Sequence, residues 1–295
     1  MNNEESNIVV AGADVGGSHI TVALVGLTGK CLIEDTSVRK YVNSKGDAKE
    51  ILESWLFVLR AVLEKGGGMI NKLAFSMPGP FDYENGISYI KGLDKYEAIY
   101  GLNVREYLAA QLKLEPGNII FRNDAEAFLH GEVFCGAGRN MGKVVGLTLG
   151  TGFGSAISNK GVTQDLNLGS EPFKDSIADD YFTTRWFIKR FHELNGIQVD
   201  NVKEMVDLIE YDGLNSSIFD EYCNNLALFM VPFLLKEQPE AIILGGNIAK
   251  ASHLFLDKLK SCLRNFDLEP VFKIAELNED AALIGAAASF EPVLL

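Results

Sequence analysis

Two apolar runs, Ile8 to Ala13 and Ile20 to Val25, stand on either side of Asp14-Val15-Gly16-Gly17-Ser18-His19. Each has the length and continuous hydrophobicity of a buried strand, and the glycine pair between them predicts a tight turn. Gly46 then breaks the chain, Asp47 is placed to cap a helix, and Glu50 three residues on completes a capping box. Ile51, Leu52, Trp55, Leu56, Val58, Leu59, Val62 and Leu63 follow at helical spacing. They predict a helix to Lys65 that ends on Gly66-Gly67-Gly68. Lys72 to Ser76 reads as a short strand running into Met77-Pro78-Gly79-Pro80, a rigid loop. Val104 to Leu112 suggests a helix, Asn118 to Phe121 a strand, Asp124 to Phe134 a helix and Lys143 to Leu149 an apolar strand. Strands alternating with helices of this length predict an α/β protein with parallel sheets under helical cover.

The pattern has an internal echo. Val9 to Gly17 and Val144 to Gly152 are each an apolar strand, a polar residue and a glycine turn. A second apolar strand follows in both cases, Ile20 to Val25 and Ser155 to Ser158. Two such hairpins, one in each half, are expected to face each other across a cleft; a purely structural duplication would leave the same trace. With 295 residues, 47% of them hydrophobic, the chain can bury a large core, and its length favours two domains.

Charge and cysteine usage narrow the function classes. A formal net charge of −13 leaves no basic surplus to neutralise a nucleic-acid backbone, so no nucleic-acid partner is expected. ATP stays compatible, because a local nest of N–H groups with Mg²⁺ can hold a triphosphate on an acidic protein. Cys31, Cys135, Cys223 and Cys262 lie far apart and form no Cys-x-x-Cys pair, as expected of a reduced cytoplasmic protein. Met1 to Asn7 is polar and acidic and does not read as a signal peptide, and no apolar run is read as long enough to span a membrane. A soluble, cytoplasmic protein is expected.

The Gly16-Gly17 turn can present backbone N–H groups outward, which suits an anion, although an ordinary hairpin would use the same residues. Asp14 beside it is a candidate for holding a hydrated Mg²⁺, which takes few protein ligands. Three further segments carry candidate chemistry: Phe121-Arg122-Asn123-Asp124-Ala125-Glu126-Ala127, Gly150-Thr151-Gly152-Phe153-Gly154, and Ala241 to Ala249 around Gly245-Gly246-Asn247. Asn123 with Glu126 also fits a capping box, and Gly245-Gly246 also fits a plain strand-to-helix turn.

In this order, and with Met77-Pro78-Gly79-Pro80 between the first two, the four segments resemble the sugar kinases of the actin/hexokinase/Hsp70 ATPase superfamily. The likeness is closest to the ROK family (repressors, open reading frames, kinases) and runs from about Ile8 to Ala288. It implies two actin-like (ribonuclease H-like) domains flanking a nucleotide and sugar cleft. Residues 1–121 with 281–295 would form the first, and 122–280 the second. It implies ATP and Mg²⁺ as cofactors, with Asp14, Gly16, Gly17, Ser18, Gly150, Thr151 and Gly152 at the phosphates and Mg²⁺ on Asp14, through water. Gly245, Gly246 and Asn247 would meet the adenosine. Pro78, Gly79, Asn123 and Asp124 would meet the sugar, with Asp124 as the general base that accepts the hydroxyl proton.

The chain departs from that family at one wall of the sugar site. Many ROK proteins carry Gly-Glu-x-Gly-His, then a cysteine-rich zinc loop, then a second sugar-binding glutamate. Here the stretch is Gly169-Ser170-Glu171-Pro172-Phe173-Lys174, with Lys174 where the zinc-binding histidine would stand and no cysteine before Cys223. No zinc is expected. Glu171 keeps the first carboxylate and Asp179 falls at the second; a solvated acidic loop is the alternative reading of both. Lys174 could pair with either carboxylate or reach an anionic group. His19 follows the first turn, where a phosphate contact would be within reach. Tyr181, Phe182, Trp186, Phe187 and Phe191 are spaced like a helix core and are also expected to support a homodimer contact.

The resemblance implies an ATP-dependent kinase acting on a hexose or N-acetylhexosamine, with domain closure excluding water. A sugar-responsive repressor would carry a helix-turn-helix domain before the first strand, where this sequence has only Met1 to Asn7. A sugar- or nucleotide-binding sensor without catalysis is the alternative; retention of Asp14, Asp124 and both glycine hairpins counts against it.

Overall fold

The computed structural model describes residues 8–291 apart from 212 and 215. The leader Met1 to Asn7 and the last four residues of the expected 281–295 segment therefore lie outside the described residues. The chain divides into two compact units, the described residues of Met1–Arg139 with Glu279–Leu295, and Asn140–Asn278.

In the first unit the opening apolar runs form β1 (Val9–Val15) and β2 (His19–Gly26), an antiparallel hairpin with Val15 opposite Ile20. β3 (Cys31–Leu32) and β4 (Val38–Tyr41) both pair with β2. Helix α1 (Ala48–Lys65) begins where Asp47 accepts from the Glu50 N–H at 2.8 Å and stops at Gly66. Only half of the expected capping box forms, because the Glu50 carboxylate is taken by the Asn43 amide instead. β5 (Leu73–Met77) lies parallel to β1, followed by the short ribbon β6 (Phe81–Asp82) and β7 (Ile87–Ser88). Then come α2 (Val104–Leu112), β8 (Ile119–Asn123) parallel to β5, and α3 (Asp124–Cys135). The main sheet runs β3-β2-β1-β5-β8.

The second unit repeats this plan. β9 (Lys143–Leu149) and β10 (Phe153–Asn159) form the hairpin, and β11 (Val162–Asp165) extends it. A small ribbon of β12 (Pro172–Phe173) and β13 (Ser176–Ile177) precedes α4 (Thr184–Asn195), α5 (Val202–Tyr211) and α6 (Ser217–Glu237). β14 (Ala241–Gly245), α7 (Ser252–Arg264) and β15 (Phe272–Ile274) complete a sheet ordered β11-β10-β9-β14-β15. Each sheet thus has an antiparallel hairpin on one side and parallel strands on the other. The expected α/β class and the two ribonuclease H-like units are present.

The chain then returns to the first unit as α8 (Asp280–Ala288), which packs on α3. The helices approach so closely that a Cβ on Gly285 would fall 1.8 Å from the Ala127 carbonyl oxygen, and one on Gly131 2.1 Å from that of Ala281. This packing moves a boundary. The break expected at 121/122 falls after Arg139, because α3 packs on α8 in the first unit.

The cores explain two further patterns. Phe182, Phe187 and Phe191 are fully buried with Tyr222 and Phe255 inside the second unit, so the expected packing role holds. α6 is long and apolar enough by length and composition to cross a bilayer, contrary to the expectation that no run is. Half of its most apolar window is buried inside the structure. Core packing accounts for that composition.

Candidate active site

At the carboxyl edge of the first sheet, three parallel strands deliver polar residues side by side. Asp14 on β1 lies opposite Ser76 on β5, and Met77 lies opposite Asn123 on β8. Ser76 is fully buried, and its hydroxyl donates to Asp14 Oδ1 at 2.8 Å. Burial pushes the Asp14 carboxyl up to about 6. The Ser76 hydrogen bond opposes that rise, the Asp124 carboxylate adds to it, Arg39 subtracts from it, and Glu279 adds again. A desolvated carboxylate that already feels a second one is an oxygen donor that a hard cation would relieve. Asp14 therefore fits Mg²⁺.

Asn123 caps α3. Its Oδ1 accepts from the Ala125 and Glu126 N–H groups at 2.9 and 3.2 Å. Glu126 pairs with Arg122 at 3.2 Å. The cap places Asp124 on the exposed first turn of α3, where its Oδ1 also accepts from Ala125 N–H at 2.8 Å. The Asn123 amide donates to the Tyr83 hydroxyl at 3.2 Å, and Tyr83 donates to the Met77 carbonyl at 3.1 Å. Tyr83 thereby joins Asn123 to the loop of Pro78 and Gly79, which enters a cis Gly79–Pro80 bond. Neither Ser76 nor Tyr83 was singled out from the sequence. Ser76 left one trace there, a small polar residue near the end of an otherwise apolar strand.

The Gly16-Gly17-Ser18 turn carries its residues to the surface, with Gly16 N–H donating to the His19 carbonyl at 2.9 Å. The Ser18 hydroxyl sits 2.9 Å from His19 Nδ1, and the His19 ring meets Tyr41 edge-on.

The second hairpin turn, Gly150-Thr151-Gly152, is held at both ends by one segment. Thr184 N–H donates to the Gly150 carbonyl at 2.8 Å, and Phe153 N–H donates to Asp179 Oδ1 at 2.7 Å. The other Asp179 oxygen pairs with Arg185 at 2.7 Å. Asp179, expected among the sugar ligands, braces this turn with one carboxylate oxygen and meets Arg185 with the other. Lys174 departs from expectation. It donates to Asn225 Oδ1 at 2.7 Å and lies over the Phe173 and Tyr181 rings, closing the β12–β13 ribbon. Glu171 stands exposed at the start of that ribbon, its carbonyl accepting from Ala178 N–H.

β14 ends at Gly245, which pairs with Thr148. Gly246 has φ +84° and approaches β9 so closely that a Cβ would fall 2.4 Å from the Leu149 carbonyl oxygen. The turn therefore requires glycine for its own packing. Gly246 and Asn247 are exposed beyond the strand end.

Comparison with known proteins fits this arrangement. The ROK family model matches residues 10–165. The chain is 26% identical to the glucokinase of Thermotoga maritima, over 94% of this chain and 95% of that one. It is 24% identical to the N-acetyl-D-glucosamine kinase of Mannheimia succiniciproducens, over 95% and 98%. In fold it is similar to a ROK family glucokinase from Streptomyces griseus, solved in complex with glucose and AMPPNP. That match has a TM-score of 0.76 at 16% identity and covers 96% of this chain and 99% of that one.

Proposed function

The chain belongs to the ROK family, and from that premise we propose that it is an ATP-dependent carbohydrate kinase. The acceptor is a hydroxyl of a hexose or N-acetylhexosamine. The observation that carries this reading is the convergence of Asp14 and Asp124 on one sheet edge, each carboxylate within electrostatic reach of the other. Ligands of open α/β sheets bind at the carboxyl ends of the strands. The relatives' names supply the class, hexose and N-acetylhexosamine kinases.

Asp124 accepts the hydroxyl proton as the acceptor oxygen attacks the γ-phosphorus, and the bond to the β,γ-bridging oxygen breaks. Asn123 has one amide hydrogen beyond its bond to Tyr83 to orient a neighbouring hydroxyl. Pro78, Gly79 and Glu171 complete the acceptor's ligands. The N–H groups of Gly17 and Ser18, and those of Thr151 and Gly152, are assigned to phosphate, with Gly16 and Gly150 closing the two turns through their own N–H bonds to the His19 and Gly152 carbonyls, and Gly245, Gly246 and Asn247 are assigned to the adenosine. Asp14 would hold Mg²⁺, which would supply neutralisation of the phosphate charge. The acceptor wall needs no zinc in this reading, since Lys174 and the aromatic rings beneath it close the ribbon.

A coupled ADP-release assay across hexoses and N-acetylhexosamines tests the proposal, with Mg²⁺-dependent turnover of at least one acceptor expected. Tight AMPPNP binding with no turnover of any acceptor would replace it with the non-catalytic sensor. Asp179→Ala is expected to raise the KM for ATP by roughly ten- to a hundredfold, the size of a lost charge-assisted hydrogen bond, and to leave the acceptor KM in place. The reverse pattern, measured in the same assay, would return Asp179 to the acceptor.

A further inference from the structure

Tyr96 lies 80 residues beyond the first glycine turn and is bonded to it. Its side chain is fully buried, and its hydroxyl donates to the Gly16 carbonyl at 2.6 Å. The ring is set edge-on against Trp55, with 5.6 Å between centroids. The backbone of Tyr96 is left-handed, at φ 57° and ψ 17°, a conformation a bulky side chain adopts only when its surroundings impose it. Those surroundings are visible: Tyr96 N–H donates to the Ser44 carbonyl, and Lys45 pairs with Asp94. The same segment is anchored at the acceptor-side loop, where Tyr89 N–H donates to the Pro80 carbonyl at 3.0 Å.

Holding the Gly16 carbonyl has a consequence for its neighbour. The Gly16 C=O and the Gly17 N–H belong to one planar trans peptide and point in opposite directions. With the Gly16 N–H already committed to His19, the direction of the next N–H depends on what holds that carbonyl. Gly17 is exposed, and a Cβ there would meet nothing within 4 Å, so packing at its own position does not orient it. Glycine on both sides of this peptide permits the flipped orientation at little cost.

We propose that Tyr96 is a positioning residue: its hydroxyl fixes the Gly16–Gly17 peptide so that the Gly17 N–H points at nucleotide phosphate, and it ties this aim to the acceptor-side segment. The inference rests on the kinase reading for the identity of the anion. Tyr96→Phe removes the hydroxyl and keeps the ring, so it is the discriminating variant.

Calorimetric titration with Mg·AMPPNP is expected to show roughly three- to tenfold weaker binding by Tyr96→Phe than by the unmutated chain. In turnover, the KM for ATP should rise by a similar factor while the acceptor KM stays unchanged. A fall in thermal midpoint with AMPPNP affinity unchanged would show a purely structural role and overturn the inference. Absence of AMPPNP binding by the unmutated chain would overturn it as well. Because AMPPNP binding is read without turnover, a chain that phosphorylates no sugar leaves the comparison of the two proteins decisive.

Discussion

Asp124→Asn is expected to lower kcat by roughly 10²- to 10⁴-fold, the span attached to a positioned general base. The amide cannot accept the hydroxyl proton, yet its oxygen can still accept from the Ala125 N–H as Asp124 does now. The cap itself belongs to Asn123 and is untouched. The thermal midpoint and AMPPNP affinity should therefore stay near those of the unmutated chain. Turnover unaffected by the substitution would remove Asp124 from the chemistry.

Asp14→Asn is expected to move activity and stability in opposite directions. In the proposed reading Asp14 would hold Mg²⁺, so loss of its carboxylate should abolish Mg²⁺-dependent turnover. The same change should stabilise the metal-free fold at neutral pH, because the folded state holds this carboxyl near 6 rather than at 3.8. A folded pKa above the unfolded one means that the native state binds the proton more tightly. Stability is then favoured at low pH, lost progressively as pH rises from 3.8 to about 6, and fully forfeited above that. The forfeited amount is on the order of 3 kcal/mol, at about 1.36 kcal/mol per pKa unit, and it is an upper value since Asp14 is only partly buried. Urea unfolding without metal should show Asp14→Asn ahead of the parent at pH 8 and the two converging towards pH 4. Equal stability at both pH values would contradict the burial of a charged Asp14. In the unmutated enzyme, kcat/KM for ATP should fall on the acid side with a midpoint at or below about 6, moving lower as Mg²⁺ is raised, because the cation competes with the proton for Asp14.

Much of this site was legible in the chain because its signals are local. The β1–β2 turn, the Asn123 cap and the strand ending in Gly245-Gly246 follow from turn and cap chemistry acting over a few residues. Helix α2 and strand β9 have the boundaries that periodicity predicts, Val104–Leu112 and Lys143–Leu149. The side-chain partners were not legible. Glu50 fits a capping box by spacing, yet its carboxylate goes to Asn43, since a surface carboxylate takes whichever donor the fold brings nearest. Lys174 offered three partners on charge alone. The ribbon geometry gave it a fourth, Asn225 above two aromatic rings.

The sequence by itself determined the repeated hairpins, the α/β class and the identity of the carboxylates at two strand ends, because strand period and glycine turns are properties of neighbouring residues. Only the tertiary structure decided what those groups touch. Parallel pairing of β1 with β5 brought the buried Ser76 to Asp14 across 62 positions, and a left-handed backbone brought the Tyr96 hydroxyl to Gly16 across 80. Parallel pairing of β8 with β5 brought Asp124, the residue after β8, to the same sheet edge as Asp14. Such contacts depend on distances between elements far apart in the chain, where local pattern carries no information.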